Sequence, residues 1–247
     1  MDISEYLHAL LDLFYPRSCL HCKRNLNDSH ELYICDDCKR QMPYVDTFHC
    51  IRCGAAMGLY STSVAKEGCA ACKGRRLHFD AMTAVAHYDG VMKTLIHKFK
   101  YARQKFLFRM LNDIIVTHNK LKDVVPDMDV VVPVPLYWLK KMYRGFNQSE
   151  LLSLGIHRYF SKPVSANNLC RIKNTESQTH LSKSQRQANI HNAFFVKYPG
   201  SFHGKNVLLV DDVLTTGVTA SECSKKLKES GARYVHLLVL ANAEYSS

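Results

Sequence analysis

Short apolar runs alternate with stretches of helical period from about residue 78 to residue 241 of this 247-residue chain. The apolar runs predict four strands, near Met82–His87, Asp129–Val132, Val207–Val210 and Tyr234–Ala241. The stretches between them, in which apolar residues recur with a helical period, predict four helices, near Met92–Phe99, Phe106–His118, Asn147–Tyr159 and Ala220–Gly231. Because strands that alternate with helices form parallel sheets, the pattern predicts an α/β domain.

Two adjacent carboxylates follow the third of these strands, at the start of a loop rich in threonine. Asp211 and Asp212 come directly after Val210, and Leu214–Thr219 then leads into a helix. Open parallel sheets bind ligands at the carboxyl ends of their strands, and a loop entering a helix offers unpaired N–H groups to a phosphate. The order of these features predicts a site for a phosphorylated sugar. The alternative is a buried strand that ends in an acidic turn.

Eight of the ten cysteines form four Cys-x-x-Cys pairs, which are Cys19/Cys22, Cys35/Cys38, Cys50/Cys53 and Cys69/Cys72. Two such pairs supply the four thiolates of a tetrahedral structural zinc site, and the gaps suit zinc-ribbon loops, so we expect two zinc ions. A disulfide scaffold is disfavoured in a chain without a signal sequence, and an iron–sulfur cluster usually has less regular pairing. The spacing permits either successive or interleaved pairs to share an ion.

The composition adds a net charge of +11 and an isoelectric point near 9.2. This charge favours polyanionic partners, namely nucleic acid, phosphorylated metabolites or a membrane surface. The apolar runs are far shorter than the roughly 20 residues of a membrane span, and no signal pattern opens the chain, so we expect a cytoplasmic protein. We predict two domains, an N-terminal helix with a zinc module over residues 1–77 and the α/β domain over residues 78–247.

Aromatic and basic residues interleave in the segment between the second strand and the third helix. Rings can stack on bases while cations contact phosphates, so this segment is a candidate surface for single-stranded nucleic acid. The alternative is a solvated turn whose rings face the core. The residues concerned are Trp138, Lys140, Lys141, Arg144 and Phe146.

A polar span without a clear period runs from Arg171 to Phe194. A span of more than about 20 such residues is either disordered or functional. We predict a lid that closes over the acid pair, because cations such as Arg171 and Arg186 would neutralise an anionic leaving group and exclude water. Gln178 belongs to the same predicted lid.

The chain resembles the ComF family of competence proteins over essentially its full length. Val207–Thr219 resembles the phosphoribosyl-pyrophosphate (PRPP) motif of type I phosphoribosyltransferases, a motif shared by that whole class. More specific are the four cysteine pairs together with LIHKFKY (Leu95–Tyr101), PVPL (Pro133–Leu136) and RGFNQ (Arg144–Gln148). The resemblance implies a type I phosphoribosyltransferase domain preceded by a double zinc ribbon.

The resemblance also implies roles for individual residues. Asp211 and Asp212 would be the catalytic pair that holds the ribose hydroxyls of PRPP, which Mg²⁺ would accompany. The other implied PRPP-binding residues are Val210, Leu214, Thr215, Thr216, Gly217, Val218, Thr219, Pro133, Val134 and Pro135. A role in natural transformation is implied as well, with uptake or handling of single-stranded DNA and a helicase as partner.

Two functions of different classes fit these features. The first is an enzyme that transfers phosphoribosyl from PRPP to an unidentified acceptor. The second is a non-catalytic DNA-binding adaptor that keeps the PRPP fold as a sensor or scaffold. Nucleobase salvage is disfavoured by the zinc module and by the lack of a C-terminal segment that could cover the pocket, so any cover must come from the zinc module or the segment before the first core strands.

Overall fold

The computed structural model describes residues 17–26, 33–45, 49–57, 68–101, 104–173, 190 and 192–243. The strands of its main sheet are β1 (Ala81–His87), β2 (Val130–Pro133), β5 (Asn206–Leu214) and β6 (Tyr234–Asn242). They lie in the order β1-β6-β5-β2, and every neighbouring pair is parallel. The prediction of a parallel α/β domain is confirmed.

The described α-helices are α1 (Asp36–Arg40), α2 (Gly90–Tyr101), α3 (Phe108–Val116), α4 (Asn119–Val124), α5 (Trp138–Arg144), α6 (Gln148–Phe160) and α7 (Val218–Glu229). The four predicted helices correspond to α2, α3, α6 and α7, with shifted ends. α3 is preceded by a 3₁₀ turn over Lys105–Leu107, and further 3₁₀ turns span Val125–Asp127 and Pro199–Phe202. The segment predicted to be either a nucleic-acid surface or a solvated turn forms α5.

Alternation along the strands places apolar side chains on both faces of the main sheet. On one face, Leu208 and Leu238 join a core with buried residues of α2, α3 and α6. On the other face, Leu209 and Leu237 join a core with buried residues of α7. The first core also contains Cys19 and Cys35, so the N-terminal cysteine module packs directly on the α/β domain.

The edge of the sheet at β1 is covered by the chain between the second and third cysteine pairs. The N–H of Val45 donates to the carbonyl of Val85 at 3.0 Å, and the N–H of His87 donates to the carbonyl of Pro43 at 2.8 Å. Unpaired edge strands invite association with other chains. This short antiparallel pairing therefore both caps the edge and ties the cysteine module to the sheet.

A two-stranded antiparallel sheet joins β3 (Leu169–Arg171) to β4 (Phe194–Val196). The sequence pattern did not predict it, because each strand is three residues long and too short to display a period. The two ends of the predicted lid are thereby held side by side. Gln178 and Arg186, which the lid prediction included, lie outside the described residues.

Candidate functional site

The eight paired cysteines form two groups, each built from successive pairs. Cys19, Cys22, Cys35 and Cys38 make the first group, and all four sulfur atoms lie within 4.8 Å of one another. The second group has the same compactness and consists of Cys50, Cys53, Cys69 and Cys72. The interleaved arrangement that the spacing permitted is not the one adopted.

Both groups fit a tetrahedral zinc ion. With a Zn–S bond of about 2.3 Å, the edge of an S₄ tetrahedron is about 3.8 Å. The Cys19–Cys38 and Cys22–Cys35 sulfur distances are 3.7 and 3.6 Å, and the second group has matching distances of 3.9 and 3.6 Å. The N–H of Cys35 donates to the sulfur of Cys19 at 3.4 Å. Burial by itself would raise the pKa of Cys19, yet backbone N–H donors led by that of Cys35 lower it to about 6.

A cleft of about 410 Å³ opens at the carboxyl edge of the main sheet. β5 and β2 end there, with Pro133 paired to Val210, so that Asp211 and Asp212 project beyond the end of β2. β5 is longer than predicted because its pairing with β6 continues as far as Leu214. The cleft therefore lies where open α/β sheets bind ligands.

The two carboxylates have different partners. Ser149 donates to Oδ1 of Asp211 at 3.1 Å, and the N–H of Asp212 donates to the same atom at 2.9 Å. Oδ1 of Asp212 pairs with Nζ of Lys100 at 2.8 Å. Burial and the neighbouring Asp212 raise the pKa of Asp211 to about 7. The pair thus combines a carboxyl that can hold a proton near neutral pH with a carboxylate neutralised by an ammonium group.

Lys100 was not among the predicted site residues, although it belongs to the LIHKFKY segment. It lies near the end of α2 and lines the cleft, and its side chain is 18% exposed. Burial opposes its charge, but the attraction of Asp212 prevails and raises the pKa of Lys100. A basic residue near a helix C-terminus is so common that the residue type gives no signal by itself. Only its spatial proximity to Asp212 identifies it.

The threonine loop runs from the end of β5 into α7. Gly217 takes a φ of 74°, a left-handed conformation that favours glycine, and it occupies the position immediately before the helix. The first turn of α7 borders the cleft, where its N–H groups and the positive end of the helix dipole would favour an anion. Of the residues implied to bind PRPP, those that line the cleft are Val134, Pro135, Leu214, Thr215, Gly217, Val218 and Thr219.

Three implied residues lie elsewhere around this cleft. Val210 and Pro133 are buried within β5 and β2, where they contribute backbone rather than side chains. The carbonyl of Thr216 accepts a hydrogen bond from Arg75 at 3.1 Å. The threonine loop is thus held in part by a residue close to the second zinc site.

The RGFNQ segment joins the loop after β2 to the rest of the cleft. Gly145, with a φ of 80°, ends α5, and the side chain of Asn147 accepts from the N–H of Ser149 at the start of α6. Asn147 also donates to the carbonyl of Val134 at 3.0 Å. One side chain therefore fixes the PVPL loop and the helix that carries Ser149, the partner of Asp211.

Besides Lys100, three further cations converge on the cleft. Lys140, Arg144 and Arg171 all line it. Burial lowers the pKa of Lys140, and the charges of Arg171 and Arg144 lower it further. Because mutually repelling cations are stabilised by an anion placed between them, this wall of the cleft suits a polyphosphate.

Gln148 adds an uncommitted donor to the same wall. It is 2% exposed, and its Oε1 accepts from Arg144 at 3.3 Å. Its Nε2 atom is buried, and within the described residues it has no hydrogen-bond partner. Because buried amide donors are normally paired, this atom points to a ligand group in the cleft.

Helix α5 presents an exposed surface beside the cleft. Trp138 is 56% exposed and Tyr143 is 77% exposed, whereas Phe146 is buried and stacks on Phe99 with ring centroids 5.3 Å apart. Lys141 pairs with Glu150 at 2.8 Å. The predicted surface thus retains its tryptophan and its cations, while Phe146 belongs to the core.

A larger cavity, of about 730 Å³, lies against β1 and α4 near the second cysteine group. Two of its polar lining residues, Thr83 and His236, are hydrogen-bonded to each other at 2.9 Å. The acid pair, the threonine loop and the converging cations all lie in the smaller cleft. We therefore take the smaller cleft as the candidate site. Within the described part of the chain, no helix has the length and apolarity needed to cross a membrane.

These features define a class of protein: a type I phosphoribosyltransferase fold that carries a double zinc ribbon. Comparison with known families agrees with both parts. Residues 10–73 match the double zinc ribbon domain, and residues 146–245 match the phosphoribosyl transferase domain.

Within that class, the chain belongs to the ComF family of competence proteins. It is 32% identical to competence protein F of Haemophilus influenzae, over 93% of this chain and 99% of that protein. It is 29% identical to DNA utilization protein YhgH of Escherichia coli K12, over 92% and 98% of the two chains. Competence protein ComFC of Bacillus subtilis strain 168 is 27% identical, over 80% and 79%.

Proposed function

We propose that the cleft binds PRPP together with Mg²⁺ and that the protein acts in natural transformation, in the uptake or handling of incoming single-stranded DNA. The observation that carries the first part is the meeting of the Asp211–Asp212 pair, the Leu214–Thr219 loop and four cations in one cleft. The second part is supported by membership of a family whose named members are competence and DNA utilization proteins.

Each part of the cleft suits one part of PRPP. Leu214–Thr219 offers N–H groups and hydroxyls to the 5′-phosphate, and Asp211 and Asp212 accept from the ribose hydroxyls. Lys140, Arg144 and Arg171 lie where they can meet the pyrophosphate. Mg²⁺, when bound, would supply further neutralisation of that charge.

Transfer would form a bond from an acceptor lone pair to C1 of the ribose while the bond from C1 to the pyrophosphate oxygen breaks. The electron pair leaves with pyrophosphate, and positive charge builds on the sugar. Cations beside the leaving group and carboxylates beside the ribose match this charge distribution. The same geometry equally allows binding without transfer.

A thermal-shift titration with PRPP and Mg²⁺ tests the site. A ligand at 100 times its dissociation constant stabilises the native state by about 2.7 kcal/mol, which gives a clear rise in melting temperature. The double variant Asp211→Ala, Asp212→Ala should show no rise, and Glu222→Ala, on α7 outside the cleft lining, should keep the full rise. A double variant that responds like the wild type would exclude this site.

A second candidate function, the non-catalytic adaptor, is favoured by the exposed rings and nearby cations of α5. Pyrophosphate release from PRPP, measured with and without single-stranded DNA, separates the two functions. An enzyme that uses DNA as acceptor or activator should release pyrophosphate faster when DNA is present. An adaptor should bind both PRPP and DNA and release no pyrophosphate.

A cytoplasmic location and a helicase partner belong to the same proposal and would be tested by fractionation and by affinity capture from competent cells.

A further inference from the structure

The chain that leaves the second cysteine group passes directly over the threonine loop. We call residues 75–78 the strap. Its first residue lies three positions after Cys72, and the N–H of Arg75 donates to the carbonyl of Cys72 at 3.0 Å. The backbone of the strap is therefore fixed by a residue of the second zinc site.

The side chain of Arg75 reaches the loop. Its Nη2 donates to the carbonyl of Thr216 at 3.1 Å, and the residue is half-buried there. A carbonyl held by an arginine fixes the orientation of its peptide group, whose N–H belongs to the next residue, Gly217. Because amides of this loop are the groups that would face a phosphate, the contact sets the direction of one of them.

Two further contacts hold the strap against the same region. Leu77 packs on both the apolar cluster of the second ribbon and the core beneath α7, and its Cδ2 lies about 4 Å from the position that a Cβ of Gly217 would take. Ser221, in the first turns of α7, donates from Oγ to the carbonyl of Arg76 at 3.1 Å and accepts from the N–H of His78 at 3.2 Å. The ribbon, loop and helix start thus form one packed unit.

The first ribbon has different contacts. His21 forms a hydrogen bond with Thr94 of α2 at 2.9 Å, and Tyr33 packs on Phe106 with ring centroids 5.0 Å apart. These contacts lead to α2 and the turn after it. The two zinc sites are therefore attached to different parts of the α/β domain.

We propose that Arg75 is a positioning residue of the threonine loop. Through the strap, the second zinc site is coupled more strongly than the first to ligand binding in the cleft. The inference about ligand binding rests on the proposed PRPP site, whereas the ordering of the loop does not. Coupling of this kind is reciprocal, so a ligand on the loop should also tighten the hold of the second site on its metal.

Arg75→Ala and Arg76→Ala form a matched pair for the test. Both remove one positive charge, but Arg76 takes part through its main-chain carbonyl and the residue is exposed. The dissociation constant of PRPP should rise about tenfold in Arg75→Ala, the loss expected for one charged hydrogen bond. It should change less than about twofold in Arg76→Ala, and Arg75→Lys should restore part of the loss.

Amide hydrogen exchange supplies a readout that needs no ligand. Peptides covering residues 211–220 should exchange faster in Arg75→Ala and Cys72→Ser than in the wild type. The matched controls, Arg76→Ala and Cys35→Ser, should leave these peptides close to wild type. Since both cysteine variants lose one zinc site, the comparison separates coupling through the strap from a general loss of stability.

Zinc release to a colorimetric chelator tests the reciprocal effect. In the wild type, PRPP with Mg²⁺ should slow the release of zinc from one of the two sites. This slowly released zinc should be absent in Cys72→Ser and in Arg75→Ala, and it should still be present in Cys35→Ser. Equal exchange rates and equal PRPP affinities in Arg75→Ala and Arg76→Ala would overturn the inference. Failure of the wild type to bind PRPP, with faster exchange in Arg75→Ala, would instead overturn the proposed function and leave the strap as an ordering device.

Discussion

Lys100 and Asp212 form an ion pair of 2.8 Å in which both side chains are largely buried, at 18% and 10% exposure. The first belongs to α2 and the second to β5, so the pair joins a helix of one face to the carboxyl edge of the sheet. A charge in such a place is stable only with its partner. The pair also brings a cation next to the acids proposed to hold the ribose.

Removing the lysine charge should therefore destabilise the protein. We expect Lys100→Met to lower the free energy of unfolding by about 3 kcal/mol at pH 7, because Asp212 is left buried without its partner. Urea unfolding measures this loss. Lys93→Met, an exposed change on the same helix, should have little effect. Adding Asp212→Asn to Lys100→Met should recover most of the loss, and a double variant as unstable as the single one would contradict the assignment of the pair.

The raised pKa of Asp211 predicts a specific dependence of stability on pH. Its folded pKa of about 7 exceeds its ordinary value of 3.8, so between these values the folded protein binds more protons than the unfolded chain. This carboxyl therefore makes the free energy of unfolding fall as the pH rises from about 4 to 7.

Asp211→Asn should remove this contribution while its side-chain oxygen still accepts from Ser149 and from the N–H of Asp212. The variant should gain stability relative to the wild type as the pH rises, and the difference should be smallest near pH 4. Parallel denaturant curves at pH 4.5, 6 and 7.5 measure it. A constant difference between the two proteins across this range would show that Asp211 titrates normally.

The two four-cysteine groups predict two zinc ions per chain. Cys35→Ser should reduce the zinc content from two to one and lower the melting temperature, because the first ribbon packs in the core that contains α2. PRPP affinity should stay within about threefold of the wild type, since the contacts of this ribbon lead away from the threonine loop. Metal analysis and a PRPP titration check both statements. One zinc ion in the wild-type protein would refute the double site.

The exposed surface of α5 predicts separable contributions to the binding of single-stranded DNA. Trp138→Ala should weaken binding by about 1–3 kcal/mol with little change in the salt dependence, because stacking releases no counterions. Met142→Ala is the matched control, since it removes exposed apolar area from the same helix without removing a ring.

The cations should behave differently from the ring. The double variant Lys140→Ala, Lys141→Ala should reduce the slope of log affinity against log salt by about 0.7 for each DNA phosphate that a lysine no longer neutralises. Fluorescence anisotropy at several salt concentrations provides both values. Unchanged affinity and slope in the lysine variant would exclude α5 as the DNA surface.

Much of the fold could be predicted from local patterns. The apolar runs located all four strands of the main sheet, and the helical periods located α2, α3, α6 and α7, because burial on both faces of a parallel sheet leaves a dense apolar signature. The end of β5 could not be predicted, since polar Asp211 and Asp212 continue the strand only through pairing with β6. β3 and β4 are too short for any period.

The residues of the candidate site also fall into those that local sequence predicts and those that only the tertiary structure brings together. The acid pair, the threonine loop and each cysteine pair are local in sequence, so spacing alone predicted a phosphorylated-sugar site for the first two and zinc sites for the cysteines. Lys100, Ser149 and Arg75 come from distant segments and are ordinary residue types, so only proximity distinguishes them. Phe146 had two possible positions, exposed beside Trp138 or buried, and packing against Phe99 decided between them.

The sequence by itself determined the class of fold and the eight cysteines that can bind zinc, and it predicted the residues that would meet a phosphorylated sugar, because each rests on periodicity or spacing within single elements and motifs. Tertiary structure alone decided which cysteine pairs share an ion, which cation neutralises Asp212 and which segment holds the threonine loop. Those relationships depend on distances between residues far apart in the chain. Such distances are set by how helices and ribbons pack on the sheet, and local sequence patterns do not predict them.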